Sequence, residues 1–328
     1  MQLSISSVIR SPDPVDRLVI GFSTLVSILA ILVLPGEASW RLLVPLNVGL
    51  GVVIAILSLA ATRPEMRLLR FLHDWYPVGV IFLLFKEVYI IIQSIGRPDI
   101  DLSLIGIDHF LFGVHPTVWL TQFSSPLLTE ILQLAYVSYY LLMVTLAAEL
   151  QMRRDYDRFS FVMFTLTYGF FLSYVGYILF PAIGPRFTLH AFGSLEKELP
   201  GIFFTNPLRD FLDAGESIPH NLPNPAAVAQ RDAFPSGHTE MTLLVMYFAG
   251  KYRLRSRYIL YVVGSLLIIS TVYLRYHYVV DLLGGALFMG FTVWTAPALF
   301  SLLQRNRAGA NEGVLGTQGE APPLPSDS

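Results

Sequence analysis

Apolar side chains along this chain fall in long uninterrupted blocks, not in the alternation of a half-buried strand or the single stripe of a soluble helix. Eight blocks stand out: Leu18–Leu34, Leu42–Ala61, Trp75–Ile95, Leu127–Ala148, Phe159–Phe180, Pro235–Tyr252, Tyr258–Tyr273 and Val279–Leu303. A bilayer core takes about 20 such residues per helix, and hydrocarbon offers open backbone groups no partner. The pattern predicts an all-α polytopic membrane bundle of about eight transmembrane helices. The third block contains Lys86 and Glu87, for which a buried ion pair with other helices is expected. The sixth is short and follows Pro-Ser-Gly directly. No internal repeat is visible.

Composition narrows the class further. Of 328 residues, 54% are hydrophobic and 14% charged, against about 25% charged in a soluble domain. Mean hydropathy is +0.57. A soluble enzyme, a disordered regulator and a secreted disulfide scaffold are excluded. The net charge of −2 gives no nucleic-acid footprint, and the absence of cysteine removes thiol chemistry and Cys-ligated metals. Alternating the eight blocks places 14 of the 22 basic residues in one set of connections, including Arg63, Arg67, Arg70, Arg153, Arg154, Arg158 and Lys251–Arg257. Basic short loops stay cytoplasmic, so both termini are expected inside the cell membrane. Asp13 and Asp16 make a poor signal-peptide start. The expected organisation is residues 1–74 with two helices, a catalytic membrane region 75–305, and a Gly/Pro/Ala/Ser-rich disordered tail 306–328. On the outer side, the stretch after Asp108 is expected to lie in the interface, and the proline-rich segment 182–234 to form a cap.

Three polar clusters then converge on the outer side: Phe180–Phe187 with Arg186, Arg231–Thr239 with Pro-Ser-Gly-His, and Tyr273–Gly285 with Arg275, His277 and Asp281. Ser236 and Gly237 open a helix, where free N–H groups, a hydroxyl and the dipole cradle an anion. His238 stands at its lip. Arg186 and Arg275 are cations suited to phosphate oxygens, and Arg231 is a possible substrate contact. His277 and Asp281, four apart, share a face if helical; the carboxylate then fixes one ring nitrogen as N–H and leaves the other as a lone pair. The competing readings are helix capping for His238, a structural stitch or a zinc site for the His277–Asp281 pair, and snorkelling to lipid headgroups for the arginines.

Pro-Ser-Gly-His at 235–238 and His277-x-x-x-Asp281 resemble the second and third motifs of the type 2 phosphatidate phosphatase superfamily, the lipid phosphate phosphatases and vanadium haloperoxidases. The resemblance covers about the last five blocks and implies a six-helix catalytic core. It implies that His277 forms a phosphohistidine, Asp281 orients it, His238 protonates the leaving oxygen, and Ser236 and the Gly237 amide hold the phosphate. Two departures stand out. The first motif, a Lys, six residues, then Arg-Pro, is replaced by Pro185-Arg186 with Leu179 seven residues before, and the third-motif Arg is replaced by Thr271, with Arg275 one helical turn on. Fewer cations suit a singly charged phosphodiester. That pattern, with the Tyr-His-Tyr-Val-Val-Asp-Leu string and Asp108…Leu111-Phe-Gly113, looks like the inositolphosphotransferase branch related to inositol phosphorylceramide synthase. The implied partners are a phospholipid or lipid phosphate donor and a lipid hydroxyl or water acceptor, with no cofactor and no metal. A lipid phosphate phosphatase and a non-catalytic transporter or scaffold are the alternatives. No protein partner is evident.

Overall fold

The structure is a computed structural model describing residues 13–34, 39–63, 65–216, 218 and 222–316, with backbone alone for Ser39 and 305–316. The described residues are helical with no strand. In chain order they form α1 (Pro14–Val33), α2 (Ser39–Ala61), α3 (Arg67–Ile95), α4 (Asp101–Phe112) and the single turn α5 (Pro116–Trp119). There follow α6 (Pro126–Val137), α7 (Tyr139–Met152), α8 (Tyr156–Leu179) and the turns α9 (Pro185–Thr188) and α10 (Leu195–Glu198). The chain continues with α11 (Thr205–Gly215), α12 (Pro225–Val228), α13 (Gly237–Lys251), α14 (Arg257–Tyr273) and α15 (Val279–Gly316).

All eight apolar blocks are helical, but they are not eight equivalent spans. Five helices are long and apolar enough to cross a membrane: α1, α2, α3, α8 and α15 as far as Gln304. The fourth block is broken at Ser138, where α6 and α7 meet at 49°. α14 is a shorter apolar helix of 17 residues. α13 has 15 residues, about 22 Å at 1.5 Å per residue, shorter than a hydrocarbon core of about 30 Å. It does not face the outside. It packs against α7, α8, α14 and α15, with Met241, Leu244, Val245, Phe248 and Ala249 fully buried. α15 approaches the start of α13 so closely that a Cβ on Gly285 would lie 2.4 Å from the Ser236 carbonyl. α1 packs on α3, α8 and α15 within the same core. α15 continues through Gly316, past the Asn306 boundary at which composition predicts disorder, since propagating an existing helix costs less than nucleating one. Residues 317–328 lie outside the described residues.

The basic connections gather at one end. Arg17 donates to Leu303 O (2.7 Å), while Glu149 pairs with Arg153 (2.5 Å) and accepts from Arg255 N (2.7 Å). The three polar clusters lie at the other end, where α8 and α14 finish and α13 and α15 begin. Lys86 and Glu87 do not form the expected ion pair. Glu87 accepts from Asn47 Nδ2 on α2 (2.6 Å), and Lys86 donates to Gly215 O in the cap (2.5 Å). Adjacent residues on a helix point about 100° apart, which sends one inward and the other to the cap.

Candidate active site

Backbone hydrogen bonds knit the three clusters into one unit. Ala233 N donates to Ala182 O (3.0 Å), Arg186 N to Arg275 O (3.0 Å), and Ser236 N to Asp281 O (3.0 Å). α4 clamps this unit from the side with two buried carboxylates. Asp101 accepts from Ile183 N (3.0 Å), Gly184 N (2.9 Å) and the Tyr278 hydroxyl (2.8 Å). Asp108 accepts from Val279 N (2.9 Å) and Val280 N (2.8 Å), satisfying the exposed donors of the α15 N-terminus. α4 thus points its acids inward and Leu102 and Phe110 outward, a polarity suited to apolar surroundings.

His277 sits just before α15 and is buried. Its Nδ1–H donates to Ala233 O (2.9 Å), with Asp281 Oδ2 at 3.3 Å. A carbonyl accepts only, so Nδ1 carries the proton and Nε2 the lone pair. The pairing with Asp281 was expected from a shared helix face, but His277 precedes the helix. Asp281 instead lies in the first turn of α15 and reaches back to Tyr278 N (2.8 Å) and the ring together, as an acidic residue does in a capping box. Burial first, with Arg186 adding, lowers the His277 pKa to about 4, while Asp232 and the Ala233 carbonyl oppose the shift. The ring is neutral at pH 7.

His277 Nε2 faces His238 Nδ1 at 3.5 Å. His238 lies between the rings of Tyr136 (4.7 Å) and Tyr139 (4.4 Å), and the Tyr139 hydroxyl fixes the α13 start by donating to Gly237 O (3.1 Å). Ser236 caps α13: its Oγ accepts from Thr239 N (3.2 Å) and Thr239 Oγ1 (3.1 Å). Both acceptor positions are used, which leaves its own O–H to donate to an anion.

The arginines divide. Arg186 is buried beside this centre, its guanidinium 4.7 Å from the Tyr276 ring centroid and 4.6 Å from that of Phe187. Asp213 (3.3 Å) and Glu216 pair with it. Burial opposes its charge, but Glu216, Tyr276 and Asp213 outweigh that and raise its pKa. Arg275 is not on a helix with Thr271. The helix ends at Tyr273, and Arg275 takes a left-handed conformation (φ 69°). Its side chain runs to Glu198 (2.5 Å) and Thr121 Oγ1 (3.3 Å). Arg231 pairs with Asp99 (2.9 Å) and donates to Ala229 O (2.9 Å). Asp232, which sequence reasoning passed over, acts on His277 and Arg186 directly. Burial raises its pKa, and His277 and the Arg186 guanidinium moderate the rise. Among the described residues, no group of three or more His, Asp or Glu is placed to hold a metal ion. Beside the site, an apolar cavity of about 560 Å³ opens between α5, α14 and α15, lined by Phe112, Trp119, Ile268, Val272, Val279 and Leu282.

Residues 102–295 match the family model described as PAP2 superfamily. The matched segment runs from α4 into the first half of α15, and the chain belongs to that superfamily. Neither the curated proteins nor the solved structures gave a match.

Proposed function

We propose that this PAP2 superfamily protein is a membrane phosphotransferase that moves a phospholipid head group through a phosphohistidine on His277. Membership alone indicates lipid phosphatase or phosphotransferase activity on a lipid phosphate. The observation that carries the finer reading is the His277 ring, with Nδ1–H committed to Ala233 O and Nε2 turned to His238. In the first step Nε2 bonds to phosphorus, the P–O bond to the leaving group breaks, and His238 supplies that oxygen's proton. In the second, an acceptor hydroxyl loses its proton to His238 and its oxygen displaces Nε2. Ser236 O–H, the Gly237 N–H and Arg186 stabilise the charge on phosphorus. The apolar cavity beside Val279 suits a hydrocarbon chain of donor or acceptor.

The acid-rich surroundings support a singly charged phosphodiester donor of the inositol phosphate type. The second reading, hydrolysis of a lipid phosphate such as phosphatidate, is favoured by the superfamily itself, whose members are generally phosphatases. It uses the same phosphohistidine, with water as acceptor. The orientation that best fits the basic connections puts both termini in the cytoplasm and His277 on the extracytoplasmic face of the cell membrane. Purified protein incubated with head-group-labelled phosphatidylinositol, with and without ceramide or diacylglycerol, separates the readings. Label on the added lipid is the expected outcome. Phosphate release from a phosphatidate control alone supports the phosphatase. A His277→Ala protein as active as wild type on every substrate overturns both.

A further inference from the structure

Arg275 has two guanidinium nitrogens, Nε and Nη1, that are buried without an acceptor, and Arg209 on α11 has one, Nη1. Both side chains are withdrawn from solvent, Arg275 at 0% and Arg209 at 5% exposure. Among the described residues Arg209 donates to a neutral carbonyl, Leu199 O (2.8 Å), and Arg275 pairs with one carboxylate, Glu198, so adjacent residues hold the two guanidiniums. Burial lowers the Arg209 pKa, Tyr276, Glu196 and Asp213 oppose the shift, and the Arg275 charge, the smallest effect, adds to it. Burial and then Arg275 likewise push His190 down to about 4. Two buried guanidiniums held at the adjacent residues Glu198 and Leu199, with open N–H donors, are costly unless an anion joins them, and the forked guanidinium matches phosphate oxygens.

We propose that Arg275 and Arg209 form a second anion site under the cap, distinct from the His277 centre, which binds a phosphate group that is not transferred. Glu198 is its occupant at rest. That side chain is 37% exposed and sits on the one-turn helix α10, so an incoming phosphate displaces a single carboxylate to reach both arginines. The phosphate is either a second phosphate on a lipid head group or free inorganic phosphate. The site does not depend on the transfer reaction.

Calorimetric titration of the full-length protein in detergent with inorganic phosphate reads the site. One phosphate per chain is expected for wild type and for His277→Ala, and none for Arg209→Met. Glu198→Gln, at a partly exposed position outside the reaction centre, is expected to tighten phosphate binding about tenfold, equivalent to about 1.4 kcal/mol. This gain keeps the test decisive if Arg209→Met does not fold. In a second arm, phosphatidylinositol 4-phosphate is compared with phosphatidylinositol. A preference for the former that Arg209→Met abolishes assigns the site to a head-group phosphate; equal binding of the two lipids, with inorganic phosphate still bound, assigns it to free phosphate. No phosphate bound by wild type or Glu198→Gln, with no preference between the lipids, overturns the proposal, as does phosphate binding that His277→Ala abolishes. Loss of head-group transfer with this phosphate site intact would count against the transferase reading alone.

Discussion

Replacing Asp281 by Asn isolates what the carboxylate does for His277. In the serine-protease triad the corresponding change costs about 10⁴ in kcat, because the histidine adopts the wrong tautomer. Here the tautomer has a second guardian. Ala233 O is nearer to Nδ1 (2.9 Å) than Asp281 Oδ2 is (3.3 Å), and it cannot donate. The Asn side-chain oxygen can also keep the Tyr278 N–H bond (2.8 Å in the native protein), so the α15 cap survives. What is lost is one hydrogen bond to the ring, worth about 0.5–1.5 kcal/mol, or roughly 2- to 13-fold in rate. Single-turnover transfer of a labelled head group in detergent micelles measures it, beside thermal unfolding that should change little. Asp281→Ala, in contrast, leaves the Tyr278 N–H buried and unpaired, a further cost of about 1–3 kcal/mol in stability. If Asp281→Asn falls as far as His277→Ala, the carboxylate sets the tautomer and the role given to Ala233 O is wrong. If it loses nothing, Asp281 is only a helix cap.

Two further outcomes follow from distances and charges. A Cβ at residue 237 would lie 2.4 Å from the Tyr177 hydroxyl, so Gly237→Ala should destabilise by about 1–3 kcal/mol. Tyr177→Phe in the same chain should restore most of it, as read by unfolding midpoints; a double variant no better than Gly237→Ala would refute the contact. The acid limb of kcat/KM should follow His277, whose neutral form is lost as pH falls through about 4. Arg186 holds that value down and Asp232 holds it up, so Arg186→Met should move the limb to higher pH and Asp232→Asn to lower pH. Shifts of the same sign would break the electrostatic assignment.

Helix placement was legible in the sequence because lipid imposes it: a long apolar block has no other stable form in hydrocarbon. The number of independent spans was less legible. The break at Ser138 and the brevity of α13 depend on packing against neighbours, which hydropathy along one chain does not record. The placement of His238, His277, Asp281, Ser236 and Gly237 was readable from local spacing, since each lies within a few residues of a helix start. Asp101 and Asp108 act across more than 80 residues on the loops they hold. Asp108 stood out only as part of the Asp108…Leu111-Phe-Gly113 resemblance, and Asp101 not at all. Asp232 was overshadowed by Arg231 beside it, although the latter turns to Asp99. Arg275 was misplaced for a definite reason. The i, i+4 argument assumes a continuing helix, whereas the chain reverses at a left-handed residue two positions after Tyr273.

Charge balance around His277 argues for the kind of phosphate the centre takes. Arg186 is the cation nearest the reaction, yet Asp213 and Glu216 already pair with it, and Asp232 adds a further acid acting on both Arg186 and His277. Burial raises the Glu216 pKa against the pull of Arg186, so a further negative charge in the cluster is unfavourable. A phosphate monoester brings two negative charges into that setting and would have to expel or neutralise a carboxylate to bind. A phosphodiester brings one, which the helix dipole, the Ser236 hydroxyl and a partly neutralised Arg186 can meet. The same carboxylates that repel a dianion are acceptors for the hydroxyls of a polyol head group. This charge balance supports the proposed diester donor that carries hydroxyls over a bare monoester.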